Sequence, residues 1–173
     1  MINTDHLRRP ESAIFVFMRS HTWMVGAGLF ALFAVMSSNA CKHGQCDVGP
    51  DSKHGGSRSH NAGKNCQSCH LADGPGEGCW EVAGTAYDSL SGGISPDVVL
   101  RLYTQPNDSG ELKLTLEGDA LGNFYTSKDP GLGAGLYPSV TSANGHTSRM
   151  QGRVTSGACN SCHGVSTEKI RVH

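Results

Sequence analysis

Two five-residue stretches constrain this chain more than any other feature: Cys66-Gln67-Ser68-Cys69-His70 and Cys159-Asn160-Ser161-Cys162-His163. Both read Cys-x-x-Cys-His, the spacing that attaches a c-type haem. Thiols three positions apart reach the two vinyl groups on one edge of a porphyrin and form thioethers. The next residue, His70 or His163, then lies under the ring and binds iron from its proximal face. Two other chemistries use Cys-x-x-Cys pairs. A single zinc ion would take all four cysteines, but zinc does not require a His directly after both second cysteines, and zinc ribbons hold their pairs closer in sequence. A thiol redox centre wants a helix N-terminus after a strand, whereas Gly and Asn surround both stretches here. Two covalent haem c groups are therefore the expected cofactors, bonded through Cys66, Cys69, Cys159 and Cys162.

A length of 173 residues implies one domain with appendages. A formal charge of −1 leaves no basic stripe for nucleic acid. With 23 glycines and only 6% aromatic residues, the chain has many turns and a modest apolar core, which two flat apolar cofactors would help to complete.

Residues 1–40 read as an exported leader, with translation expected to begin at Met18. Arg19 supplies a basic start, Trp23 to Met36 an apolar run, and Ser37 to Ala40 the small residues a signal peptidase accepts. The run is shorter than the roughly 20 residues needed to span a bilayer. Export places the chain in the periplasm or on the outer cell surface. Cys41, directly after the cleavage point, is a lipidation candidate, and a lipid there would be the expected membrane attachment. Cysteine parity agrees. With four of seven cysteines on haem and Cys41 lipidated, Cys46 and Cys79 form an even pair for a disulfide. Without lipidation, Cys41 and Cys46 could pair and leave Cys79 free.

Residues 41–63 are rich in Gly, Ser, Asp, Lys and His and read as a flexible linker, followed by a first haem segment over 64–79. His60 is a candidate distal ligand for the first iron, six residues before Cys66, while His43 and His54 read as solvated linker histidines.

Residues 80–154 read as an antiparallel β-sandwich. Leu112 to Glu117 alternates apolar and polar residues, which puts its three leucines on one face. Trp80 to Tyr87 and Val98 to Tyr103 are further strands, separated by turn clusters at 91–93, 106–110 and 119–123. The second haem segment then covers 155–173. Met150 and His146 are candidate distal ligands for the second iron, and His173 is a more remote one.

Two resemblances follow from these residues. The stretch Val82-x-Gly84-x-Ala86-Tyr87, the run from Val98 to Leu102 and Gly118-Asp119-Ala120-Leu121-Gly122-Asn123-Phe124 resemble a carboxypeptidase regulatory-like, transthyretin-like (Ig-like) sandwich. That likeness implies that Phe124 enters the core and that Gly135 to Val140 is a return strand. It departs from the usual pattern around Asp97-Val98. With its approach from His60 to Cys66 and its closing segment from Gly157 to Gly164, the chain resembles small secreted dihaem c-type cytochromes whose haem segments flank such a sandwich. The resemblance implies electron transfer with other redox proteins as partners, rather than catalysis. Two alternatives stand beside it. One is a peroxidase-like enzyme or sensor with an open position at one haem. The other is a partner-binding sandwich in which the haems are structural.

Overall fold

A computed structural model describes residues 49–173. The expected leader, the lipidation candidate Cys41 and the proposed disulfide half Cys46 lie outside the described residues. The chain is mainly β, with two sheets and helical structure limited to three short 3-10 turns among the described residues.

The first sheet is built around β1 (Val82–Asp88), which pairs antiparallel with β4 (Asn123–Thr126) on one edge. Its other edge is shared by two short parallel strands, β7 (Gly157–Ala158) against Val82 and Ala83, and β8 (Ile170–Val172) against Ala86 to Asp88. The second sheet is wholly antiparallel, in the order β3 (Ser109–Glu117), β2 (Val99–Gln105), β5 (Tyr137–Thr141), β6 (Thr147–Arg149).

Apolar residues from both sheets meet in one core. Val82, Ala86, Phe124 and Val172 come from the first sheet, and Leu100, Leu102, Leu114, Leu116 and Val140 from the second. Phe124 is fully buried, as the likeness to transthyretin-like modules implied. Its ring lies so close to Gly84 that a Cβ there would fall 2.5 Å from Cζ. The 106–110 turn also forms as expected, and Asn107 and Asp108 both adopt positive φ, the conformation that closes a tight hairpin.

Three expectations need correction. Leu112 does not share the core with Leu114 and Leu116. It is 47% exposed, because the β2–β3 register shifts beside its partner Tyr103 and carries it past the end of the core. The sandwich does not end at Val154, since β7 and β8 belong to the first sheet and pair in parallel. Residues 49–63 are not a free linker. Ser52 N–H donates to Tyr125 O (2.9 Å) and Ser52 Oγ accepts from Tyr125 N–H (2.9 Å), so the strap docks on β4. Gly55 N–H donates to Asp97 Oδ1 (2.8 Å), and Ala120 N–H donates to Gly56 O (2.8 Å). The strap lacks apolar side chains and is held by polar pairing instead.

Asp51 fixes the start of the strap through Thr126 Oγ1 (2.6 Å) and Lys128. Burial pushes its carboxyl up, but hydrogen bonds from Lys128 and Thr126 outweigh this and hold it below the usual carboxylate value. A depressed carboxyl stabilises the fold above its unfolded pKa of about 3.9, and that contribution is lost as pH falls through the folded value. The protection of the Ser52, Gly55 and Gly56 amides, relative to intrinsic exchange, should therefore fall below about pH 4, and Asp51→Asn should lower it at neutral pH as well. Replacing Phe124 with Ala should cost about 3–5 kcal/mol in denaturant unfolding.

Candidate haem-attachment site

The two Cys-x-x-Cys-His stretches fold alike. Each opens a 3-10 turn, over Cys66–Ser68 and Cys159–Ser161. His70 N–H donates to Cys66 O (2.9 Å), and His163 N–H donates to Cys159 O (3.0 Å). The serine before each second cysteine closes the turn, Ser68 Oγ donating to Asn65 O (2.7 Å) and Ser161 Oγ to Ala158 O (2.6 Å). In both copies the second cysteine, Cys69 or Cys162, is exposed, while the first is partly buried.

Both histidines are oriented in the same way. His70 Nδ1 lies 2.9 Å from Glu77 O, and His163 Nδ1 lies 2.7 Å from Glu168 O. A carbonyl can only accept, so each Nδ1 carries the proton and each Nε2 keeps its lone pair. That tautomer is the one an iron ligand needs, and a carbonyl on the other nitrogen is the usual support for a ligating imidazole. The residues therefore fit haem at both sites.

His60 is the one distal candidate brought to a proximal histidine. Its ring centroid is 5.9 Å from that of His70. The two rings are tilted by 44° to one another, and of the distal candidates His60 would be the one near enough to serve the first motif. Trp80, 5.3 Å from His70, backs the proximal ring and stacks in turn on Tyr125 at 4.8 Å. Beside this motif lies an open cavity of about 610 Å³ lined by Gln67, Leu71, Trp80, Leu132, Thr155 and Ser156 among others, but by none of Cys66, Cys69 or His70.

The second site differs. The ring partner of His146 is His173 (5.9 Å), not His163, and His173 Nδ1 lies 2.7 Å from Ser89 Oγ. Met150 is 39% exposed, with its N–H donating to Pro138 O (3.0 Å). Neither is brought against His163. His54 is exposed, its backbone N–H donating to Glu117 Oε2 (3.2 Å). Cys79 is disulfide-bonded, and its partner lies outside the described residues.

Both motifs dock on β1 through the carboxamide that follows the first cysteine. Gln67 Nε2 donates to Trp80 O (2.8 Å) and Glu81 O (3.0 Å) at the start of β1. Asn160 accepts from Thr85 N–H (3.2 Å) and donates to Thr85 Oγ1 (3.0 Å) in its middle. Our sequence reading passed over both residues, although a carboxamide in the same place of both repeats was a visible signal. Among the described residues, no group of three or more His, Cys, Asp or Glu is disposed to hold a bare metal ion, so the four-cysteine zinc site is not assembled.

Compared with protein-family models, curated proteins and solved structures, the chain matches none.

Burial pushes the Cys159 thiol up to about 12, and a charge on the neighbouring Cys66 adds to this. Burial likewise raises Cys66. In protein prepared without haem, alkylation at pH 8 should label exposed Cys69 and Cys162 first and Cys159 last, as read by peptide mass mapping. Equal labelling of all four would contradict the docked arrangement.

Proposed function

We propose that this chain is an exported dihaem c-type cytochrome that carries electrons between redox proteins. Haem c would be bonded at Cys66 and Cys69 and at Cys159 and Cys162, and its iron supplies the cycle between Fe(III) and Fe(II). The observation that carries this reading is the matched support of His70 and His163. Each presents Nε2 as a free lone pair from a short turn, with Nδ1 held by a backbone carbonyl. His60, 5.9 Å from His70 by ring centroid, would be the distal candidate for the first iron. Trp80 restricts the movement of His70, which favours small structural change on electron transfer. The two sheets with their shared core fit a transthyretin-like sandwich as the frame. A leader over 18–40 and a lipid at Cys41 would place the protein outside the cytoplasm and tether it to a membrane.

A second reading is favoured by one observation at the second site. The ring neighbour of His146 is His173, and Met150 is 39% exposed, which supports a reading in which neither ligates the second iron. An iron ligated from one side only would leave a position for a small molecule, as a peroxidase-like enzyme or sensor requires.

Low-temperature EPR of the oxidised protein tests both. The electron-carrier reading predicts a low-spin signal at the first haem that His60→Ala converts to high-spin. A spectrum unchanged by that substitution would remove His60 as a ligand. A high-spin signal from the second haem in the unaltered protein would shift the assignment to the open-site reading.

A further inference from the structure

One buried side chain ties the two attachment segments together. Asn160, 3% exposed, uses its whole carboxamide. Its Oδ1 accepts from Thr85 N–H, and its Nδ2 donates to Thr85 Oγ1 and to Lys64 O (2.9 Å). Lys64 stands two residues before Cys66, and Asn160 directly follows Cys159. We infer that Asn160 is a positioning residue that locks the approach to Cys66 onto the segment after Cys159 and so fixes the separation of the two haem sites.

Three further features give the lock its stiffness. First, the chain leaves the β1 edge at Ala158 and returns to it at Ile170, so the second motif is an excursion pinned at both ends. Between β7 and β8 the edge of β1 has no strand, and the Asn160 side chain takes the Thr85 N–H that a strand would otherwise pair. Second, Cys159 packs where Gly84 has no side chain, since a Cβ on Gly84 would lie 2.9 Å from Cys159 Cβ. Third, Thr85 Oγ1 also accepts from Gly63 N–H (2.9 Å) and donates to Asn123 Oδ1 (2.6 Å), and Asn123 Nδ2 reaches Ser59 Oγ (2.8 Å). The first site's approach is thus held to β1 at Gly63, to β4 at Ser59 and to the second motif at Lys64.

The equivalent residue of the first repeat does not do this. Gln67 spends its amide on Trp80 and Glu81, so the bridge between sites is particular to Asn160. This role presupposes the dihaem reading. Electron exchange falls steeply with separation, so a side chain that fixes the separation fixes the rate.

The test uses the full chain with its haems attached, oxidised, with haem content checked by intact mass and the iron–iron distance measured by pulsed EPR. The unaltered protein should show one short, narrow distance component. Asn160→Asp keeps an acceptor for Thr85 N–H but has no donor for Lys64 O. It and Asn160→Ala should lose the narrow component while retaining two haems. A broad or long distance in the unaltered protein would overturn the role, and needs no variant to mature. Retention of the narrow component in Asn160→Asp would also overturn it. A mass showing fewer than two haems would instead refute the dihaem reading on which it stands.

Discussion

The hydroxyl of Thr85 is the point on which the arrangement turns. It is 1% exposed, in the middle of a strand buried on both faces, and it makes three hydrogen bonds: one donated to Asn123 and two accepted, from Gly63 and Asn160. A buried hydroxyl has one donor and two acceptor lone pairs, so none of its capacity is unused. Those partners come from the strap before the first motif, from β4 and from the second motif. Fully satisfied polar networks of this kind specify one arrangement, because any alternative leaves a buried group unpaired. The apolar core between the sheets supplies bulk stability, but it does not by itself say where the attachment segments go. The Thr85 network does.

The two attachment sites are alike in their turns and their histidine support and unlike in their settings. The first sits on a strap and loop, with His60 and Trp80 both close to His70. The second interrupts a sheet edge, with its first cysteine packed against the core and its histidine held by the Glu168 carbonyl at the far end of the excursion. If both motifs carry haem as proposed, the two irons would have different surroundings. Solvent access and ligation set haem potentials, so unequal potentials would then be expected at the two sites.

Much of this was legible in the sequence, and the reasons for the rest are physical. The two Cys-x-x-Cys-His stretches were legible as a repeat, and the structure folds both into the same 3-10 turn. The Asp119 to Asn123 turn was legible from its Asp, Gly and Asn, and the likeness to transthyretin-like modules pointed to Phe124 in the core; the structure has Gly122 at φ 75° and Phe124 fully buried. β7 and β8 were hidden because strands of two and three residues have no measurable period. The docked strap was hidden because its bonds run from Ser, Asp and Gly to backbone and side-chain groups far along the chain, and such composition normally signals disorder. The carbonyls of Glu77 and Glu168 that orient the histidines could not be read at all, since every residue carries a carbonyl. Leu112 misled because alternation records the face a residue occupies, not where the core ends.

The most direct measurement on the central claim is the intact mass of the mature protein, followed by peptide mapping of its cysteines. The account predicts two covalently bound haems, on the peptides holding Cys66 with Cys69 and Cys159 with Cys162, and none at Cys79, which is in a disulfide. A mature protein of unmodified mass, or one whose Cys66–Cys69 and Cys159–Cys162 pairs are found as disulfides, would contradict it.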